Sequence, residues 1–100
     1  MKCTSPGRRG DYWEYYVMLN AMKNGAEVFK NISSTGMYDI VLSLNGDTLP
    51  CDVKQLRWNT AANKYTYRGD ARAKNVILVH PVTQKINWHC APSGWENFWS

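Results

Sequence analysis

Long apolar runs are missing from this 100-residue chain. No stretch approaches the ~20 consecutive apolar residues of a membrane span, so no membrane-crossing helix is expected. The opening residues, MKCTSPGRRGDYWEYY, lack the apolar segment of a secretory signal. Cysteine is scarce and odd in number: Cys3, Cys51 and Cys90, with no CxxC pair. A disulfide framework is therefore not expected. The expected compartment is a reducing one, the cytoplasm, or the host cytoplasm for a phage-encoded chain. His89-Cys90 could open a zinc site, but His80 is the only other histidine and no ligand spacing follows. Internal repeats, low-complexity tracts and domain boundaries are also lacking. One domain over residues 1–100 is expected, burying roughly 60–70% of its unfolded surface.

Cationic and aromatic residues are plentiful. The net charge is +4, consistent with a polyanionic partner without demanding one. Five tryptophans, six tyrosines and two phenylalanines are spread along the chain. Aromatic side chains stack on nucleobases, but in a domain this small they more often build the core.

Residues 1–10 read as a mobile basic arm. Asp11 reads as the N-cap of a helix, with Glu14 at the capping-box spacing. Tyr15, Met18, Leu19 and Met22 recur at helical period and form the expected apolar face. Asn24-Gly25 is the expected helix stop. Strands are expected at 26–30, 37–44, 48–58, 75–80 and 85–90. Residues 32–36 (ISSTG) read as loop, and 59–74 as a polar, basic loop or a loop with a short helix. Trp95, Phe98 and Trp99 read as a terminal turn packed on the body or on a partner.

Asn45-Gly46 is the signature of a two-residue type I′ hairpin turn, which needs positive φ at both positions. With that turn, opposed residues sum to 91, so Leu44 faces Asp47, Leu42 faces Leu49 and Asp39 faces Asp52. Lys54, two residues past Asp52, shares its face by strand alternation. A three-residue loop would instead set the acids diagonally, on a bulge. Two opposed carboxylates repel, and a hard divalent cation is one means of neutralising them. Two acids, a metal and a lysine together suit phosphodiester hydrolysis. The bland alternative is a solvated hairpin face.

The order helix with Glu, short strand, Ser/Gly loop, Asp, hairpin, D-x-K resembles the PD-(D/E)xK nuclease superfamily. Residues 10–55 are similar to the N-terminal half of archaeal Holliday-junction resolvases and to small phage and group I intron-associated endonucleases. The resemblance implies a minimal restriction-endonuclease-like α/β fold, with one N-terminal helix on a mixed sheet and a central metal-binding hairpin. It implies metal ligation by Asp39, Asp52 and the Val53 carbonyl, with Glu14 beside the metal. Lys54 is then the catalytic lysine, and Ser34, with Ser33 and Thr35, lies near the scissile phosphate. Gln55 takes an often polar position after the lysine. A second crossover helix is implied within residues 59–74. Tyr38 stands where the family name has Pro, and Asp52 where Glu is more frequent.

The function expected on this basis is Mg²⁺- or Mn²⁺-dependent DNA cleavage, structure-selective for junction or branched DNA. Arg8, Arg9, Lys64, Arg68, Arg72 and Lys74 would contact phosphates, and the small body suggests a homodimer that uses the aromatic tail as a contact. The alternatives are a non-catalytic nucleic-acid-binding module, or a phage accessory protein of the same fold.

Overall fold

A computed structural model describes residues 6–31, 38–70 and 72–99, with side chains described from Tyr12 onward. Among these residues one helix, α1 (Pro6–Lys23), precedes seven strands: β1 (Glu27–Lys30), β2 (Ile40–Leu44), β3 (Asp47–Gln55), β4 (Arg57–Asn59), β5 (Lys64–Thr66), β6 (Val76–Val79) and β7 (Ile86–Trp88). Five strands form a mixed sheet in the order β1-β2-β3-β6-β7, and β4 and β5 form a separate ribbon. Within the sheet, β3 and β6 run parallel while the other neighbours are antiparallel. This is the expected small α/β architecture, one helix on a mixed sheet.

The helix begins five residues earlier than Asp11, and residues 6–10 are helical rather than an arm. Pro6 occupies the first helical position, where its missing N–H costs nothing and its φ is already helical. Asp11 thus lies inside the helix and cannot be its N-cap. The stop is as expected. Gly25, at φ +98°, closes a Schellman motif in which its amide donates to the Met22 carbonyl and the Ala26 amide to the Ala21 carbonyl, both at 3.0 Å.

The buried face of α1 also differs from expectation. Trp13, Val17 and Ala21 pack on the sheet, whereas Tyr15, Leu19 and Met22 are exposed. Both stripes are apolar at helical spacing. The stripe ending in Ala21 has the small residue that lets the helix approach the sheet closely. Facing it are Ile40, Leu42, Cys51, Ile77, Val79 and Ile86, which complete the core.

The aromatic tail belongs to this same core rather than to a free contact surface. Trp95 is only 2% exposed, and Phe98 and Trp99 are half-buried against the core. Each tail indole N–H finds an acceptor on the body: Trp95 donates to Asp47 Oδ2 at 2.9 Å and Trp99 to Asn20 Oδ1 at 2.7 Å.

Among the described residues of 59–74, where the resemblance implied a crossover helix, there is no helix. The chain leaves the sheet at Leu56, and the β4–β5 ribbon with an irregular segment makes the parallel connection to β6. The turn of the ribbon is closed by the Ala62 amide donating to Asn59 Oδ1 and by Asn63 at φ 55°. Asn and Asp tolerate that left-handed backbone, which helices exclude.

Candidate active site around β3

The turn at Asn45-Gly46 has φ values of 53° and 83°, so both residues adopt the conformation a type I′ turn needs. The register follows as expected from Leu44↔Asp47 to Ile40↔Cys51. The ladder then stops, and Asp39 does not face Asp52 within it. The Asp39 amide instead donates to the Cys51 carbonyl at 3.0 Å, the same residue that Ile40 pairs with, which is bulge geometry. The Asp39 carboxylate then takes the place of a ladder partner, accepting from the Val53 amide at 2.8 Å. By alternation along β3, the Val53 carbonyl points to that same edge.

Asp52 is held from the other side of β3. Its amide donates to the Lys74 carbonyl and its Oδ2 accepts from the Lys74 amide at 2.8 Å. It is the one buried charged side chain among the described residues, 7% exposed. Burial pushes its carboxyl above the ordinary aspartate range, and the charges of Asp39 and Asp70 push the same way. The Lys74 amide and the Lys54 ammonium oppose them. Asp39, Asp52, Lys54 and Asp70 therefore share one electrostatic neighbourhood. Asp52 and Lys54 point away from the face that α1 covers, because Cys51 and Val53 alternate toward the core.

The remaining expected residues lie elsewhere. Glu14 is on the α1 side, where its Oε1 accepts from Lys30 Nζ at 2.7 Å in a mostly buried ion pair. Lys30 pairs with Ile40 and so shares the core face. Ser33, Ser34 and Thr35 lie outside the described residues, as do the side chains of Arg8 and Arg9. Lys64, Arg68, Arg72 and Lys74 are all exposed. Lys64 is on the ribbon, Arg68 follows it, and Arg72 and Lys74 lie on the segment leading to β6. His80 and His89 pack on Tyr65 and Tyr67, at ring separations of 4.5 and 4.9 Å.

Two features were not anticipated. Asp70 stands beside Lys54, and the Arg72 amide, donating to its Oδ1 at 2.9 Å, holds its carboxyl below the usual range. No spacing rule in the sequence ties it to Asp52; only the Gly69-Asp70 pair hinted at a turn. The second feature is Tyr67, whose hydroxyl is buried and has no hydrogen-bond partner among the described residues. The Asp70 amide lies near it without hydrogen-bond geometry. Burial, first, and the charges of Asp70 and Asp52 raise its phenol above the normal range.

An open cleft of about 1190 Å³ adjoins this neighbourhood at the carboxyl end of β3. Lys54, Gln55, Arg57, Trp58, Arg68 and Asp70 are among its walls. In sheets with parallel strands, ligand sites favour the carboxyl ends.

The donor chemistry suits a hard divalent ion. Each acid spends Oδ2 on a backbone amide, and its other carboxylate oxygen, like the Val53 carbonyl, is a hard oxygen of the kind such an ion takes. Among the described residues no group of three or more His, Cys, Asp or Glu side chains is placed to hold a metal. Two carboxylates nevertheless suffice for Mg²⁺ when water and phosphate complete its shell.

No protein-family model and no curated protein matches the sequence. Among solved structures, the chain is similar to a bacterial homing endonuclease, I-Ssp6803I, with a TM-score of 0.70 at 17% identity, over 84% of this chain and 68% of that one. The fold is therefore similar to that of this endonuclease. Among the described residues, no helix is long and apolar enough to cross a membrane.

Proposed function

We propose that this chain is a divalent-metal-dependent DNA endonuclease of the PD-(D/E)xK type. The observation that carries the reading is the pair Asp39 and Asp52, each pinned by a backbone amide on either side of β3, with Lys54 beside Asp52. The endonuclease fold of the structural neighbour supports it.

Asp39, Asp52 and the Val53 carbonyl would hold Mg²⁺ or Mn²⁺. The bound ion supplies an activated water and charge neutralisation at the phosphate. The chain's own residues do the rest. The Val53 and Lys74 amides fix the two carboxylates before substrate arrives. Lys54 places its ammonium where negative charge grows in the transition state, a contribution that preorganisation enlarges. Asp52, buried and bonded to the Lys74 amide, is kept from bulk water. Products with a 3′-hydroxyl and a 5′-phosphate follow from the family analogy. Exposed Lys64, Arg68, Arg72 and Lys74, with Arg8 and Arg9, would contact phosphates and make binding salt-sensitive. A homodimer in the cytoplasm, acting on the two strands of junction or branched DNA, completes the proposal.

The test is a cleavage panel of branched, duplex and single-stranded DNA with Mg²⁺, Mn²⁺ or EDTA. Asp52→Asn and Lys54→Ala are expected to abolish cleavage and spare binding, since affinity comes mainly from basic residues elsewhere. Retained cleavage by a contaminant-free Asp52→Asn preparation would end the proposal. Ser34 completes the proposed catalytic set. Glu14, which the resemblance placed beside the metal, is instead the mostly buried partner of Lys30 on the α1 side, so Glu14→Gln is expected to melt earlier and to cleave as the parent does. A variant that melts normally but cleaves more weakly would return Glu14 to the catalytic set.

A further inference from the structure

The cleft at the end of β3 contains more than the endonuclease reading uses. Trp58 is 53% exposed although it is one of the largest apolar side chains in the protein. It takes no part in the core. It is nevertheless held in place. Its ring meets Tyr65 edge-on at 5.3 Å and 74°, directly across the ribbon, and Tyr65 rests against His80 at 4.5 Å. The indole is thus braced on one side and open on the other.

The charge around it is one-sided. Lys54, Arg57 and Arg68 line the cleft, and the acid among the lining residues, Asp70, sits 3.6 Å from Arg72. A braced, open aromatic face among cations is the arrangement that binds single-stranded nucleic acid: the base stacks and the backbone follows the positive charge. At about 1190 Å³ the cleft also exceeds the roughly 300–1,000 Å³ of small-molecule pockets.

A paired duplex suits it less well. A two-stranded ribbon can enter a major groove, but it reads base edges there with free polar side chains. Here Asn59 Oδ1 is already committed to the Ala62 amide, and the Tyr65 ring is turned to His80. Stacking requires access to the face of a base, which an unpaired nucleotide offers.

We infer that the cleft between the end of β3 and the β4–β5 ribbon seats an unpaired stretch of DNA, with one base stacked on Trp58 and the flanking phosphates on Arg57 and Arg68. The inference rests on the endonuclease reading only for what the seat achieves: it leads the strand past Lys54 to Asp52. The substrate class is then DNA with unpaired nucleotides next to the cleaved bond.

The experiment is a fluorescence-anisotropy titration of the full chain in EDTA, so that binding is read without cleavage. The probes are a labelled 12-nucleotide single strand, the blunt duplex of the same sequence, and that duplex with a four-nucleotide unpaired gap. The parent is expected to bind the single strand and the gapped duplex at least about ten-fold more tightly than the blunt duplex. Trp58→Ala should weaken the first two between about 5-fold and 100-fold and the blunt duplex less than about two-fold. Trp58→Phe, which keeps a stacking face, should stay within about three-fold of the parent. Equal affinity of the parent for paired and unpaired probes overturns the inference, as does a Trp58→Ala variant that binds the single strand normally. If that happens while the parent cleaves with metal, the endonuclease reading stands alone. If the binding pattern holds while no metal-dependent cleavage is found, the seat stands and the endonuclease reading falls.

Discussion

Asp52 is a carboxylate that the fold would rather keep neutral. Its pKa is raised, chiefly by burial, so the folded protein binds its proton more tightly than the unfolded chain does. Stability from this group is fully present below the unfolded value of 3.8 and is lost as pH rises through the higher folded value. Asp52→Asn removes that titration yet keeps an oxygen for the Lys74 amide. In EDTA, urea denaturation should find the variant at least as stable as the parent at neutral pH, with the two converging below pH 3.8. A variant less stable at neutral pH would show that Asp52 is not an unfavourable charge. Metal should reverse the ranking, because a ligand at 100 times its Kd stabilises by about 2.7 kcal/mol. That gain belongs to the parent alone; equal parent melting in EDTA and in saturating Mn²⁺ would count against a metal site. Asp39, Asp52 and Lys54 could be singled out in the sequence because the Asn45-Gly46 turn imposes a register and alternation does the rest. A bulge was expected only with a three-residue loop; at Asp39 it forms beyond a two-residue turn. It depends on where the Asp39 carboxylate finds a donor, and that donor, the Val53 amide, lies across the hairpin.

At the scale of elements, the end of α1 was legible and its beginning was not. Asn24-Gly25 is a local signal, complete within a few residues. Gly25→Ala should test it, because an alanine at φ +98° is strained and the motif satisfies two carbonyls. A loss of about 1 kcal/mol or more is expected in the denaturation midpoint. An unchanged midpoint would mean that the chain re-forms the cap another way. At the other end, Gly7 and Gly10 each disfavour helix by about 1 kcal/mol relative to alanine, and that penalty hid the start signal of Pro6. The buried face was misread for a different reason. Two apolar stripes overlap on α1, and only packing against the sheet decides between them. The β4–β5 ribbon went unseen because its strands are three residues each, too short for alternation to register.

The described residues share one core, and Trp95, Phe98 and Trp99 are part of it or packed on it. Trp95 lies against Trp88 and Phe98 at ring separations of 6.2 and 5.5 Å, and its indole N–H is bonded to Asp47 where the hairpin enters β3. The tail thus braces the turn end of the hairpin whose other end carries Asp39 and Asp52. Trp95→Ala should cost about 3–5 kcal/mol, a large share of the roughly 5–15 kcal/mol that holds a domain of this kind. Cys51 offers a reporter. It is fully buried, its Sγ donates to the Leu49 carbonyl at 3.3 Å, and burial pushes its thiol up to about 12. It therefore stays protonated and shielded at neutral pH, whereas Cys90 is exposed. Iodoacetamide at pH 8, followed by peptide mass spectrometry, should label Cys90 at once and Cys51 only as the core opens. Trp95→Ala should speed Cys51 labelling and leave Cys90 unchanged, since opening frequency follows the lost stability. Because the folded thiol's pKa is raised, its contribution is intact below pH 9.0 and lost as pH climbs toward about 12, so alkali should open the core as the substitution does. If Cys51 reacts as fast as Cys90 in the parent at pH 8, the tail does not close the core and the hairpin acids are not braced from that end.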